Sequence, residues 1–224
     1  MKKIYGDITW GALLLVWIII LVNPVTRTGF ISFTTAHPYF GGFIKFAILA
    51  SMGDMLGGRI LTGGWKFPQG FLFKALVWGI LGMMITLVFT VYFAGAAGAM
   101  ASGKLPFADS KFALAFFGSL IMNTTFGPMM YIYHKFGDMF VDFMYEKRNG
   151  SYTGKITVAA MVNRVDWQTI VGFSWLKTCL LIWVPCHTVV FLLPEEYRVL
   201  ASAFLSILLG ILVAVSKKKA IKKA

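Results

Sequence analysis

Apolar residues fall in long blocks separated by short polar stretches, and the blocks are the length of helices that cross a bilayer. A helical span needs roughly 20 mostly apolar residues. Six blocks qualify: Ile8 to Val25, Tyr39 to Leu61, Gly70 to Ala97, Lys111 to about Tyr133, Gln168 to Leu193, and Tyr197 to Val215. The second is the least apolar, carrying Lys45, Asp54 and Arg59. The fourth is expected to continue as helix towards Phe143. The pattern predicts an all-α, polytopic helical membrane protein with six transmembrane helices, residues 1–224 forming one integral membrane domain. A four-span arrangement, with segments two and six lying on the surface, is the alternative, since segment two is amphipathic.

The connections Thr26 to Pro38, Thr62 to Gln69 and Met100 to Asp109 carry Gly, Pro and polar residues and read as loops. Met144 to Trp167 is the longest polar stretch. Lys2 and Lys3 precede the first apolar run, but Asn23-Pro24-Val25-Thr26-Arg27 follows it where a signal peptide would have small residues. The run therefore reads as a retained span.

Composition agrees with the pattern. The 224 residues are 58% hydrophobic and 13% charged, where a soluble domain is about a quarter charged. That excludes a soluble enzyme, a disordered chain and a secreted disulfide scaffold. Cys179 and Cys186 are seven residues apart, about 10 Å of helical rise, too far for a disulfide.

The net charge of +12 does not point to nucleic acid, because the basic residues sit at chain ends and in loops. With both termini cytoplasmic, the inner side holds Lys2, Lys3, Arg59, Lys66, Lys74, Lys135, Lys147, Arg148, Lys155, Arg164, Lys217, Lys218, Lys219, Lys222 and Lys223. The outer side holds only Arg27, Lys104, Lys111 and Arg198. This bias predicts a cytoplasmic (inner) membrane protein with both ends inside. The Lys-rich ends are expected to meet anionic headgroups of membrane lipids, and a homo-oligomer is left open.

An ionisable group within a span costs roughly 3 kcal/mol on insertion scales, so each such group needs an explanation. Lys45 is expected to snorkel to the outer surface, and Arg59 to anchor the inner end. Asp54 lies in Gly53-Asp54-Met55-Leu56-Gly57-Gly58, where the Gly53/Gly57 pair permits close helix contact. Asp54 and Lys177 lie at similar depth and are expected to share one polar region. Pro185 is expected to kink the fifth span and free the carbonyl of Leu181. His187 reads as a proton-active group or a simple hydrogen-bonding residue. His134, Asp138 and Asp142, at i, i+4 and i+8, form a polar helix face; they are too few for a metal site, and neither metal nor cofactor is expected.

Several stretches together resemble the Mpv/PMP family of small integral membrane proteins, of the peroxisomal and mitochondrial inner-membrane type. They are Gly53-Asp54, Gly127-Pro128 followed by Tyr131, His134 and Asp138, then Asp166-Trp167-Gln168, Trp183-Val184-Pro185, and Pro194-Glu195-Glu196-Tyr197-Arg198. The chain departs by splitting the family's Trp-Pro with Val184 and by placing His187 where the family has Gln. The resemblance implies a channel-like protein, here a bacterial-like relative, and a family usually described with four spans. With no catalytic motif, the function expected is a channel or small-solute pathway and not an enzyme. The alternative is a structural or partner-binding membrane subunit. A cavity reaching Asp54 would favour the pathway; a solid core with a flat small-residue face would favour the subunit.

Overall fold

A computed structural model describes residues 3–221, with no account of the side chains at 213 and 216–221. Lys2, Lys222 and Lys223 lie outside the described residues, so the headgroup contacts expected of the Lys-rich ends fall largely beyond them. All elements are helices: α1 (Lys3–Val22), α2 (Pro24–Ala36), α3 (Pro38–Thr62), α4 (Phe71–Ala101), α5 (Lys111–Arg148), α6 (Val158–Arg164), α7 (Thr169–Leu192) and α8 (Glu195–Ile221).

Five of these, α1, α3, α4, α5 and α7, are long and apolar enough to cross a membrane. They carry exposed large apolar side chains along their length, such as Ile19, Leu72, Ile80 and Leu181. Soluble monomers rarely show continuous patches of that kind. The five helices are compatible with a multi-pass membrane protein. The sixth expected span lies within α8, which is 27 residues long.

Two helices lie where the sequence reads as loop. Asn23 caps α2, its side-chain oxygen accepting from the amides of Val25 at 3.0 Å and Thr26 at 3.4 Å, with Pro24 in the first turn. This is a standard start, because Pro lacks an amide that would go unsatisfied there. Thr157 caps α6 in the same way, accepting from Ala160 N at 3.1 Å. Arg164 of α6 holds Glu146 at the end of α5 through paired bonds of 2.7 and 2.5 Å.

The segment taken alternatively as surface-lying, α3, is instead the centre of the bundle, with nine buried residues. It packs against α1, α4 and α8. Arg59 pairs with Asp7 of α1 at 3.0 Å, and Trp10 Nε1 donates to the Met52 carbonyl at 3.0 Å, so α1 and α3 run antiparallel. Glycines set the other two contacts. A Cβ on Gly42 would stand 2.7 Å from the Gly82 carbonyl oxygen of α4. A Cβ on Gly53 would stand 2.6 Å from the Ser206 carbonyl oxygen of α8, and one on Gly210 would overlap the Gly53 carbonyl. The close approach expected at Gly53 and Gly57 is thus made with α8.

The first 15 residues of α7, Thr169–Trp183, are wound as a π-helix. The amide of Val184 reaches back five residues to Cys179 O, and Thr178 Oγ1 likewise bonds Phe173 O at 3.1 Å. Pro185, with no amide, stands where the winding changes, so it donates neither to Leu180, five residues back, nor to Leu181, four back. α-Helical winding resumes at Val184.

Asp166 starts α7. Its carboxylate accepts from Thr169 Oγ1 at 2.6 Å and Thr169 N at 3.1 Å. Those two bonds hold its pKa below the ordinary value of 3.8. A depressed carboxylate stabilises the fold above its unfolded pKa and loses that contribution as pH falls through the folded one. Thermal unfolding should therefore show Asp166→Asn less stable than wild type at pH 7, with the gap closing below about pH 4. A gap independent of pH would contradict this role.

Candidate functional site: three cavities in series

Among the described residues three cavities lie along the bundle, with inner and outer following the orientation expected from the basic residues. The inner one, about 310 Å³, is lined by Asp54, Gly57 and Gly58 of α3, Trp78 of α4, Tyr131 and His134 of α5, Trp183 of α7, and Gly210 of α8. The central one is about 50 Å³ and is lined by Phe89, Asn123, Trp183, His187, Ser202 and Ser206 among others. Room for a water needs roughly 10–15 Å³, so the central space holds only a few. The outer one, about 710 Å³, lies between α2, α3, α4 and the start of α8, and includes Lys45, Thr86, Thr90, Glu195, Glu196 and Arg198. Trp78, Met130, Tyr131, Trp183 and Leu209 line both the inner and the central space. Phe89 lines both the central and the outer one.

Asp54 opens into the inner cavity. Its Oδ2 accepts from Trp78 Nε1 at 2.7 Å. The expected partner, Lys177, is elsewhere. The buried residues of the wide-turned part of α7 are Ile170, Ser174, Thr178 and Cys179, which leaves Lys177 exposed beside Leu176 and Leu180. Neither Asp54 nor Lys177 takes part in an ion pair among the described residues; the pairs are Asp7–Arg59, Lys74–Asp142, His134–Asp138 and Glu146–Arg164.

The expected polar face of α5 divides. His134 stacks on Trp78 with ring centroids 4.0 Å apart, and its Nε2 lies 3.6 Å from Asp138 Oδ2. His134 Nε2 and Asp138 Oδ1 are buried without hydrogen-bond partners. Asp142 turns instead to Lys74 of α4 at 2.7 Å. No group of three or more His, Cys, Asp or Glu able to hold a metal occurs among the described residues.

His187 sits in the central space. Nδ1 is 3.1 Å from Asn123 Oδ1 and Nε2 is 3.3 Å from Ser202 Oγ. Trp183 stacks on its ring at 5.3 Å, and Phe89 meets it edge-on at 5.5 Å. Both nitrogens have neutral partners, so the ring works as a hydrogen-bonding strut between α5 and α8. Asn123 Nδ2 also donates to Ser119 O at 2.8 Å, and Ser119 Oγ donates to Val184 O at 2.7 Å. That polar seam binds the carbonyls on either side of the switch in winding of α7. Pro185 is exposed, outside all three cavities.

Sequence reasoning missed Trp78, Ser119, Asn123 and Phe89. Ser119 and Asn123 had a signal, since polar residues four apart within an apolar span occupy one face and bond across helices. Trp78 and Phe89 had none among 7 Trp and 21 Phe.

A scan against protein-family models, a search of curated proteins and a search of solved structures each return no match.

Proposed function

We propose that this chain is a six-span protein of the cytoplasmic membrane, with both termini inside, that forms a closed pathway for small solutes. The observation that carries the reading is the series of three cavities joined by shared walls, with the inner one reaching Asp54. A pathway of this kind needs polar groups at intervals and a constriction that closes it. Asp54 and His134 serve the inner end, Asn123 and His187 the centre, and Lys45 and Arg198 the outer end, with Phe89 as the constriction.

The likeness to the Mpv/PMP family belongs to the same proposal. Four of the stretches that carry it supply Asp54, Tyr131, His134, Trp183, Glu195 and Arg198 to the cavity walls. Short motifs scattered over α3, α5, α7 and α8 thus all reach the walls of these cavities, which supports a shared role in permeation.

Cysteine accessibility tests the arrangement. In a Cys179→Ser/Cys186→Ser background, Thr90→Cys should react with an impermeant thiol reagent from outside. Gly58→Cys, where a Cβ meets nothing within 4 Å, should react only from the cytoplasmic side. Labelling of both positions from one side would defeat the reading.

A further inference from the structure

Among the described residues, the outer cavity contains a cation with no counter-ion. Lys45 is 4% exposed, yet it lines the 710 Å³ cavity, its Nζ 5.2 Å from the centroid of the Phe30 ring. It therefore does not snorkel to the surface as its place near the end of α3 suggests. No ion pair among the described residues includes it. A buried ammonium without an anion is expensive, and the facing ring recovers only part of that cost.

The other charges on this wall are differently placed. Arg198 is already engaged: its Nε donates to Leu193 O at 3.0 Å, and its guanidinium lies 4.0 Å over the Phe93 ring. Glu195 and Glu196 are exposed at the start of α8 and form no ion pair with Lys45 or Arg198. The hydroxyls of Thr34 and Thr86 donate to Ile31 O at 3.2 Å and Gly82 O at 2.9 Å, so what they offer a ligand is acceptor lone pairs. One buried cation, two exposed carboxylates and several acceptor oxygens therefore share one space.

We propose that the outer cavity is a binding site for a small zwitterionic group, its anionic oxygens on Lys45 and its ammonium on the rim formed by Glu195 and Glu196. A simple polyanion would be repelled by the two carboxylates, and a simple cation would leave Lys45 unpaired. Two sources carry this chemistry: a free amino acid, and the phosphoethanolamine headgroup of a lipid in the outer leaflet. The site is a matter of equilibrium binding and does not rest on solute passage.

The test uses the full chain purified in a maltoside detergent, whose uncharged headgroup does not compete for a zwitterion site, and followed by native mass spectrometry. Glycine is titrated in one arm and a phosphatidylethanolamine in the other. Wild type should bind at least one of them. Lys45→Met should bind that probe about thirtyfold or more weakly, the scale for stranding one member of a buried charge pair. Lys45→Arg, which keeps the charge, should stay within about threefold and serves as the folding control beside a monodisperse elution profile. Glu195→Gln/Glu196→Gln should weaken the same probe. Binding of glycine identifies a solute site, and binding of the lipid alone a headgroup site; either supports the proposal. Failure of wild type to bind either probe overturns it, as does equal binding by Lys45→Met.

Discussion

Replacing Gly53 by Leu should prevent the bundle from forming, and replacing it by Ala should already destabilise it by about 1–3 kcal/mol or more. The reason is backbone contact. A Cβ at Gly53 would stand 2.6 Å from the Ser206 carbonyl oxygen and 2.8 Å from its carbon. Those atoms belong to α8, and a helix backbone cannot move aside as a side chain does. Gly58, five residues on, is the control. Nothing lies within 4 Å of a Cβ there, so Gly58→Ala should be neutral or gain about 0.5–1 kcal/mol from its helical preference. Thermal unfolding in detergent, with monodispersity checked by size exclusion, separates the two. Equal melting temperatures for Gly53→Ala and Gly58→Ala would show that α3 and α8 do not meet at Gly53.

Gly53, with Gly57, also shows how far sequence reasoning reached. Gly53 and Gly57 announce a close helix contact because small residues four apart make a groove, and the groove is there. Which helix fills it is not a local property, although α8 carries a matching row of small residues four apart, Ser202, Ser206 and Gly210. The helical class followed from the apolar blocks, since spanning length is set by the bilayer, but the bounds did not: α1 ends at Val22 with Val25 already in α2, and α5 runs on to Arg148. The short helix α2 was also legible: Asn23-Pro24 is a capping pair, and it was overlooked because the polar residues after it read as loop. The partner of Asp54 was not legible. Depth by helical rise placed Asp54 and Lys177 together, but depth fixes height and not the face of a helix. The wide winding of α7 puts Ser174, Thr178 and Cys179 inward and leaves Lys177 outside, and the residues of that segment carry no mark of such winding. His187 was singled out from sequence, whereas Asn123 and Ser202, which hold its two nitrogens, come from other helices.

Phe89 should have the largest effect on passage. It is 5% exposed and forms the shared wall between the central and outer cavities. Its ring packs edge-on against Phe191 at 5.1 Å and His187 at 5.5 Å, so it is held in place by two rings of α7 rather than hinged in open space. Truncation to Ala removes the ring that divides the two spaces. Loss of a buried Phe also costs about 3–5 kcal/mol of stability, so Phe89→Leu is the companion variant, keeping most of the volume while removing the planar ring. Phe89→Ala should raise permeation about tenfold or more, which is ~1.4 kcal/mol off the barrier. Phe89→Leu should lie between Ala and wild type, and Phe89→Trp should stay at the level of protein-free vesicles.

The most direct test of a closed pathway through these cavities is therefore stopped-flow light scattering on proteoliposomes challenged with glycerol or glycine. Wild type should pass these solutes little faster than empty vesicles, and Phe89→Ala, folded and incorporated to the same density, much faster. Identical relaxation rates for wild type, Phe89→Ala and protein-free vesicles with both solutes would contradict the account.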